Sequence, residues 1–423
     1  MPHPGTPRAL LLALILCSPV FAGDWPQWRG PNLNGFTDAA GLPDKLDPAT
    51  NLVWSMPLPG QVSASPVVAG GKVFVSTIDD NQKLLAICLD DQTGKPLWQK
   101  QIGSAFDSNE RNNQGSPSPV TDGKNVWFYF GSGDLAAFDA AGKPLWSRNI
   151  QKDYGEFQIK WLYASSPLLF DGKLYVQVLH SGDDSYLLAI DPLTGKTLWK
   201  QARTNDAIAE SRESYATPIP ASPNGKPEVV LIGGDAVTAH DAETGRELWR
   251  VTGYNARKNA QWRSIASVLP IDGMIIACAP QRGPVLGIQD GPDTASARVA
   301  WSTQQITSDV CVPLAMDHSA YVLLGERRKL VCIDPSTGKQ KWSGSLPSDS
   351  VFRASPTGAD GKIYCISESG DAFVLAADHF QILSQTSLGG SPCHASIAVA
   401  DGKVFVRTGD KIYAFGKSRG SSK

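Results

Sequence analysis

The stretch "AIDPLTGKTLWK", residues 189–200, decides the fold, because close copies of it recur along the chain. The other copies are "CLDDQTGKPLWQ" from residue 88, "AFDAAGKPLWSR" from 137, "AHDAETGRELWR" from 239 and "CIDPSTGKQKWS" from 332. Each copy has an apolar run that ends in Asp, a turn that contains Gly, and a second run that contains Trp. The Gly supplies the positive φ angle that a tight hairpin turn needs. Recurrence of such a hairpin at intervals of about 40–50 residues predicts a repeat fold.

The rest of the repeat adds two more strands to each copy. Residues 164–179, "ASSPLLFDGKLYVQVL", contain two apolar runs joined by an Asp-Gly-Lys turn, and residues 186–199 bring the hairpin just described. Apolar and polar residues alternate in these runs with the period of two that is expected of strands. Four strands in a unit of this length are typical of a β-propeller blade.

The tryptophans give the number of blades. The repeat tryptophans are Trp54, Trp98, Trp146, Trp199, Trp249, Trp301 and Trp342, and Ile382 stands where the next one is expected. The last unit, "CHASIAVADGKVFVRTGDKIYAF", ends after three strands, so the N-terminal strand around Trp54 is needed to complete it. We therefore predict an all-β, eight-bladed β-propeller over residues 51–416, with an arm at 23–50 packed on it and a disordered tail at 417–423. Closure of this kind leaves no open sheet edge.

A second column of the repeat marks the innermost strands. It contains Ser65, Ser118, Ser166, Thr217, Ser267, Val312, Ser355 and Ser396, each preceded by a small residue or by proline. Small side chains allow several backbones to converge, so this column is predicted to surround the propeller axis.

The N-terminus and the composition indicate export. Arg8, the apolar run "ALLLALILC" and Val20-Phe21-Ala22 match a signal peptide over residues 1–22 that is cleaved near Ala22. The net charge of -2 offers no basic field for nucleic acid. We expect a soluble monomer in the periplasm or outside the cell, or one that is peripheral to the outer membrane. The cysteines show no C-x-x-C spacing, so neither a disulfide framework nor a metal site is predicted.

The pattern D-x-x-T-G-K-x-L-W resembles the tryptophan-docking motif of propellers of the pyrroloquinoline-quinone (PQQ) type, over nearly the whole mature chain. The resemblance implies that each repeat Trp stacks near the turn glycine of the neighbouring blade, with Gly94, Gly195, Gly245 and Gly338 as the turn glycines. Two groups share the motif, namely quinoprotein dehydrogenases and non-enzymatic propellers similar to BamB-type outer-membrane assembly factors. The segment "DWPQWRGPNLNGF", residues 24–36, is similar to the start of exported PQQ-like repeat proteins of planctomycete-type bacteria.

The resemblance also implies what a dehydrogenase of this family holds: PQQ between a Trp and two adjacent cysteines, beside a Ca²⁺ ion. This chain has no adjacent cysteines and no C-x-x-C-H haem motif. The sequence therefore favours a non-catalytic, exported scaffold for protein or peptide partners, acting in outer-membrane or envelope protein assembly, with no cofactor expected. The alternatives are a PQQ-dependent dehydrogenase that uses PQQ and Ca²⁺, and a small-ligand or carbohydrate-binding module.

Candidate binding residues lie just before the innermost strands, where the fold gathers unrepeated side chains at the mouth of the propeller. Aromatic and charged residues brought together in this way are typical of recognition surfaces. The candidates are Trp161, Tyr163, Glu213, Tyr215, Trp262, Arg263, Asp309, Arg353 and His394, with Gln114 and Arg212 beside them. No catalytic residue is assigned, and a solvated rim of ion pairs is the alternative interpretation.

Overall fold

The structure is a computed structural model that describes residues 23–109, 112–222, 225–291 and 297–417. The predicted signal peptide and residues 418–423 of the predicted tail lie outside these ranges. None of the helices in the described part of the chain is a candidate for a membrane span.

The strands form eight antiparallel sheets of four, which confirms the predicted all-β, eight-bladed propeller. The first strand is β1 (Leu52–Pro57). Blades 1 to 4 contain β2 (Val67–Ala69), β3 (Lys72–Ile78), β4 (Lys83–Asp90), β5 (Pro96–Ser104), β6 (Val120–Thr121), β7 (Asn125–Tyr129), β8 (Asp134–Asp139), β9 (Pro144–Asn149), β10 (Leu168–Phe170), β11 (Lys173–Val178), β12 (Tyr186–Ile190), β13 (Thr197–Ala202), β14 (Ile219–Ala221), β15 (Glu228–Gly233), β16 (Ala236–Asp241) and β17 (Glu247–Val251).

Blades 5 to 8 contain β18 (Leu269–Ile271), β19 (Met274–Cys278), β20 (Val285–Gln289), β21 (Arg298–Thr303), β22 (Leu314–Met316), β23 (Ser319–Leu324), β24 (Lys329–Ile333), β25 (Gln340–Ser345), β26 (Thr357–Ala359), β27 (Lys362–Ile366), β28 (Asp371–Ala376), β29 (Ile382–Ser387), β30 (Ala398–Ala400), β31 (Lys403–Arg407) and β32 (Lys411–Gly416). Short helical segments are α1 (Ile150–Tyr154) and 3₁₀ turns at Ala209–Arg212 and Gly325–Arg327. The strand β1 pairs antiparallel with β32, with Met56 opposite Ile412, and so completes blade 8 from the N-terminal side.

The repeated hairpin locks neighbouring blades together. In "AIDPLTGKTLWK" the Asp191 carboxylate accepts the backbone N–H groups of Leu193 and Thr194, and Gly195 adopts a φ of 71°. A β-carbon at Gly195 would lie 2.6 Å from the Trp146 indole of the preceding blade. That indole donates its N–H to the carbonyl of Pro192 at 2.8 Å. The glycine is therefore required both by the turn and by the close approach of the tryptophan.

Each repeat tryptophan is aimed by a β-bulge in the outer strand. In blade 3 Trp199 pairs with Ala189 and Thr197 pairs with Ile190, so Leu198 has no partner and is exposed. The extra residue turns the Trp toward the next blade, where it lies against Gly245. The bulge explains why two large apolar residues are adjacent in a strand whose other residues alternate.

The same register corrects one sequence assignment. In blade 7 the bulge leaves out Leu383, so the position equivalent to the repeat Trp is Ser384, and Ile382 corresponds to Thr197. The turn before it is "ADHFQ", residues 377–381, and Phe380 takes the place of the turn glycine. The Phe380 ring lies 6.2 Å from the Trp342 ring of the preceding blade. The contact between blades 6 and 7 is therefore made by two aromatic rings. The altered turn is the reason why the sequence alignment placed Ile382, and not Ser384, at the position of the repeat Trp.

The aligned column of the innermost strands forms a circle of hydrogen bonds around the axis. We call these residues the hydroxyl ring: Ser65, Ser118, Ser166, Thr217, Ser267, Val312, Ser355 and Ser396. The backbone N–H of each donates to the side-chain oxygen of the next, at 2.8–3.1 Å, in the order 65, 118, 166, 217, 267 and then 312, 355, 396 and back to 65. Only Val312 has no hydroxyl to offer, so the circle is interrupted between Ser267 and Val312.

The N-terminal arm runs beneath the hydroxyl ring and contacts most blades in turn. Trp25 exchanges backbone hydrogen bonds with Val68 of blade 1, and the Pro26 carbonyl accepts the N–H of Thr121 in blade 2. The side chain of Gln27 accepts the N–H of Leu169 in blade 3. Farther along, the carbonyls of Asn34 and Gly35 accept N–H groups of β22 and β26, in blades 6 and 7.

Arg29 anchors the middle of the arm. Its guanidinium is buried and donates to the carbonyls of Pro313 and Pro356, both at 2.6 Å. Burial lowers the pKa of Arg29 to about 9. A buried cation is stable only where hydrogen-bond acceptors are held in a fixed geometry around it. The arm is therefore packed as an integral part of the propeller.

Candidate functional site

An open pocket of about 390 Å³ lies on the axis at the mouth of the propeller. Its wall is a second ring, which lies two residues before the hydroxyl ring in the segments that lead into the innermost strands. We call it the mouth ring: Ser63, Ser116, Ala164, Tyr215, Ile265, Val310, Arg353 and His394, all of which line the pocket. The size lies within the range of about 300–1,000 Å³ that is usual for small-molecule sites.

The floor of the pocket includes Trp28 from the N-terminal arm. The chain segments run inward from the mouth ring to the hydroxyl ring, and the innermost strands then continue to the level where the arm binds. The indole of Trp28 therefore enters from the side opposite the mouth, next to Arg29, whose anchoring fixes it. An aromatic ring at the base of an axial pocket offers a flat surface on which a planar ligand can stack.

The structure brings six of the nine sequence candidates together. Those that line the pocket are Trp161, Tyr215, Arg263, Asp309, Arg353 and His394. The other three lie outside the lining. Tyr163 is buried and donates to the Gln177 carbonyl at 2.6 Å, Trp262 is half-buried, and Glu213 is buried behind Tyr215. The Tyr163 hydroxyl is bonded to the chain inside blade 3, and the Glu213 carboxylate is held by the Tyr215 hydroxyl, so neither side chain reaches the pocket.

Tyr215 is held by the carboxylate behind it. Its hydroxyl donates to Glu213 at 2.7 Å, and the backbone N–H of Trp161 donates to the same hydroxyl at 3.1 Å. Burial and the nearby Glu213 charge raise the pKa of Tyr215 above its usual value. The phenol is therefore a neutral, fixed part of the wall.

A network of charges forms one side of the rim around Glu210. Its carboxylate accepts hydrogen bonds from Lys160, from the Trp161 indole at 3.2 Å and from Arg263 at 3.2 Å. Burial raises the pKa of Glu210, but the hydrogen bonds from Lys160 and Trp161 outweigh it, so the pKa lies below its usual value. The Arg263 guanidinium lies 5.6 Å from the centre of the Trp161 ring. Arg263 is thus held in place by one carboxylate and one aromatic face.

The opposite side of the pocket holds Arg353 and His394 on neighbouring blades. Arg353 forms an ion pair with Glu326 at 2.6 Å. His394 lies between two polar partners, with Nε2 2.6 Å from a Glu368 carboxylate oxygen and Nδ1 3.3 Å from the Ser63 hydroxyl. Asp309 accepts the backbone N–H of Gln281 at 2.9 Å. Basic, acidic and hydroxyl groups therefore meet on one arc of the mouth ring, whereas Ala164, Ile265 and Val310 line another.

Several pocket residues were missed by the sequence analysis, namely Trp28, Ser63, Asn112 and Glu368. Ser63 could have been found by stepping back two residues from Ser65, as His394 lies two before Ser396. Glu368 lies in the turn between β27 and β28, and no repeat pattern marks it. Trp28 was expected in the arm, but nothing in the sequence places its ring at the axis.

The cysteines form no pair at the site. The six described cysteines, Cys88, Cys278, Cys311, Cys332, Cys365 and Cys393, are all buried free thiols. Burial raises the pKa of Cys311 to about 12, which makes its thiol unreactive at neutral pH.

Comparison with known proteins gives one family match and several partial relatives. The family model described as outer membrane protein assembly factor BamB matches residues 45–182, 183–309 and 237–379. A polyvinylalcohol dehydrogenase of Pseudomonas sp is 25% identical over 267 residues, which are 53% of this chain and 40% of that protein. The quinohemoprotein alcohol dehydrogenase ADH-IIG of Pseudomonas putida is 29% identical over 239 residues, 53% of this chain and 28% of that protein.

A BamB of Burkholderia pseudomallei is 26% identical over 210 residues, 48% of this chain and 49% of that protein. The chain thus spans about half or less of each of these relatives. Among solved structures, a europium-containing methanol dehydrogenase superposes with a TM-score of 0.71 at 12% identity, over 93% of this chain and 98% of the other. BamB from Moraxella catarrhalis gives 0.60 at 16% identity, over 88% and 99%. At these identities the superpositions establish the fold alone.

The relatives correct two expectations from the sequence. The main expectation, a non-catalytic assembly scaffold, is wrong, because relatives along half of the chain are named as dehydrogenases. The expectation of no cofactor is wrong as well, because one of these relatives is a quinohemoprotein. Both expectations relied on the absence of adjacent cysteines. The repeated motif that suggested a scaffold lies at the blade edges, so it carries no information about what the axial pocket binds.

Proposed function

The chain belongs to the family of PQQ-repeat β-propellers that the BamB model represents, and on this basis we propose that it is a quinoprotein-type oxidoreductase. The proposed reaction is the oxidation of a hydroxyl-bearing substrate, with PQQ bound in the axial pocket. The observation that carries the proposal is the pocket itself, which combines an indole floor, two arginines and a set of hydroxyls on the axis. The dehydrogenase names of the partial relatives support the same class of reaction.

The pocket residues fit a planar, carboxylate-bearing quinone. Trp28 offers the stacking surface, and Arg263 and Arg353 offer donors to carboxylates from two sides of the mouth. Each of these arginines has one terminal nitrogen within 3.2 Å of a protein carboxylate, and a guanidinium carries five N–H donors. When bound, PQQ would supply the two-electron acceptor that the oxidation of an alcohol requires.

The pocket does not offer a comparable set of ligands for a metal ion. Among the residues described, no group of three or more His, Cys, Asp and Glu side chains could hold one. The two carboxylates that line the pocket, Asp309 and Glu368, are engaged with Gln281 and His394. No step is therefore assigned to a metal ion.

The chain's own groups can orient the substrate and take its proton. His394 is the base within the pocket, and the Glu368 carboxylate at 2.6 Å stabilises the imidazolium that forms. The apolar arc of Ala164, Ile265 and Val310 faces the carbon part of the substrate, while the polar arc faces its hydroxyl. His394 would accept the proton of the substrate hydroxyl.

We also propose that this activity lies outside the cytoplasm, after cleavage near Ala22. The signal features of residues 1–22 support export, and the choice between periplasm and medium stays a prediction. Protein or peptide partners, and the monomeric state, stay predictions too.

The experiment that tests the function is a PQQ titration of the purified mature chain, with and without Ca²⁺. Tryptophan fluorescence reports binding next to Trp28, and dye reduction with alcohols and aldose sugars reports turnover. Trp28→Leu should weaken binding at least 10-fold, since it removes the stacking surface while keeping the floor apolar. The matched control is Trp342→Leu, which removes an indole at a blade edge and should lower stability without changing affinity. Absence of binding and of dye reduction in the wild-type protein would reject the proposal.

A further inference from the structure

Three side chains of the pocket form a continuous chain of hydrogen bonds. The Ser63 hydroxyl lies 3.3 Å from Nδ1 of His394, and Nε2 of the same imidazole lies 2.6 Å from Oε1 of Glu368. All three residues line the axial pocket. A hydroxyl, an imidazole and a carboxylate connected in this order are the components of an activated serine nucleophile.

The framework behind the three side chains is fixed. Ser63 and His394 each precede a member of the hydroxyl ring by two residues, and these two members are joined by the bond from Ser396 N–H to Ser65 Oγ at 2.9 Å. Glu368 is tied to the same region, because the N–H of Cys393 donates to its carbonyl at 2.9 Å. The backbone therefore holds the base between nucleophile and carboxylate without help from a ligand.

We infer that Ser63, His394 and Glu368 form a catalytic triad and that the axial pocket hydrolyses carboxylic esters. This inference does not rest on the proposed oxidoreductase function, since it needs no quinone. The hydrogen bonds assign the imidazole proton to Nε2, which donates to Glu368 and leaves Nδ1 as the acceptor for the Ser63 hydroxyl.

The reaction balances with water as the only co-substrate. Oγ of Ser63 bonds to the ester carbonyl carbon while Nδ1 of His394 takes the hydroxyl proton. The bond from that carbon to the alcohol oxygen then breaks, and Nδ1 returns the proton to the departing alcohol. Water adds to the acyl carbon and gives a proton to Nδ1, after which the carboxylic acid leaves and Ser63 regains its proton.

The neighbours of the triad indicate the substrate class. Arg353 precedes His394 in the mouth ring and lines the same pocket, so we expect its positive charge to stabilise the negative carbonyl oxygen that forms during the reaction. Ile265 and Val310 line the apolar arc of the same pocket. The site therefore suits a small ester with an apolar acyl or alkyl group.

A fluorophosphonate probe tests the inference directly on the mature chain, with no quinone added. We expect a covalent adduct on Ser63, located by peptide mass spectrometry, and hydrolysis of p-nitrophenyl butyrate. Labelling should be absent in Ser63→Ala and should slow at least 100-fold in His394→Gln and about 10-fold in Glu368→Gln. The control is Ser55→Ala, an exposed serine of β1 that does not line the pocket, and it should label like the wild type.

Thermal unfolding of each variant checks that it is folded. Labelling of the wild-type protein tests the inference even if a variant does not fold. No adduct on Ser63 above that of denatured protein would overturn the inference, as would equal labelling of folded His394→Gln. An adduct without ester turnover would overturn the hydrolytic reaction. Because quinone binding is measured separately, failure of the triad and failure of the oxidoreductase proposal give different results.

Discussion

The hydroxyl ring and the mouth ring lie two residues apart on the eight segments that lead into the innermost strands, yet they follow opposite rules. The hydroxyl ring repeats one residue type almost without change, because each hydroxyl accepts the N–H of its neighbour and so closes the propeller around its axis. The mouth ring has Ser, Ala, Tyr, Ile, Val, Arg and His at equivalent positions. Repetition thus marks the residues that build the fold, and its loss marks the residues that are free to carry chemistry.

The largest effect should come from a repeated residue that lies far from the pocket. Trp199→Ala removes the indole that packs against Gly245 and Tyr175, and it should lower the free energy of unfolding by about 3 kcal/mol. Affinity for a pocket ligand should stay the same. Denaturant unfolding measures the first quantity and a PQQ titration the second.

The control for this variant is its neighbour in the bulge, Leu198, which is exposed. Leu198→Ala should change stability by less than about 0.5 kcal/mol, as exposed substitutions do. If both variants lost the same stability, the clamping role of the tryptophan would be disproved.

Glu228, an unrepeated residue outside both rings, sharpens the comparison, because its replacement should change stability and leave ligand affinity unchanged. Glu228 is buried, and one of its carboxylate oxygens has no hydrogen-bond partner among the residues described. Burial, with the nearby Asp290, raises the pKa of Glu228 from 4.5 to about 7. The folded state therefore favours the protonated acid, and this contribution to stability is present below about pH 4.5 and is lost as the pH rises through about 7.

Replacing Glu228 by Gln should remove this dependence. The advantage of Glu228→Gln over the wild type should grow by about 2–3 kcal/mol between pH 4.5 and pH 8. Chemical unfolding at both pH values measures it, and a difference between the two proteins that does not vary with pH would contradict the prediction. Pocket affinity should be the same in both proteins at each pH, since Glu228 does not line the pocket.

The fold could be predicted from the sequence almost completely, because the residues that determine blade geometry recur in each repeat. The count of eight, closure by the strand around Trp54 and the axial column all follow from spacing, and the error at Ile382 arose where Phe380 replaces the turn glycine. The site was predicted only in part. Arg353 and His394 were found by their place before the innermost strands, but Glu368 and Trp28 reach the pocket through tertiary contacts that no period encodes.

A mouth-ring residue should show the reverse behaviour to Trp199. Arg353→Gln removes a charged donor from the pocket, and it should weaken PQQ binding by about 10–100-fold. Stability should change by no more than about 1 kcal/mol, because the ion pair with Glu326 is partly exposed. The control is Arg212→Gln, an arginine outside the lining that bonds Ser181 and Asp183, for which no change in affinity is expected. Equal losses of PQQ affinity in the two variants would mean that the loss reflects the change in net charge and not a contact made by Arg353.

The smallest effect tests the one place where the hydroxyl ring departs from its own rule. Val312 donates its N–H to Ser355, but it has no hydroxyl to accept the N–H of Ser267. Val312→Thr keeps the shape of the side chain and adds that acceptor, so it should raise the free energy of unfolding by about 0.5–1.5 kcal/mol. Val310→Thr, two residues earlier in the mouth ring, adds a hydroxyl with no ring neighbour and should bring no gain. A buried hydroxyl that fails to find its donor destabilises a protein, so the sign of the change at Val312 decides whether closure of the circle is what the repeated serines provide.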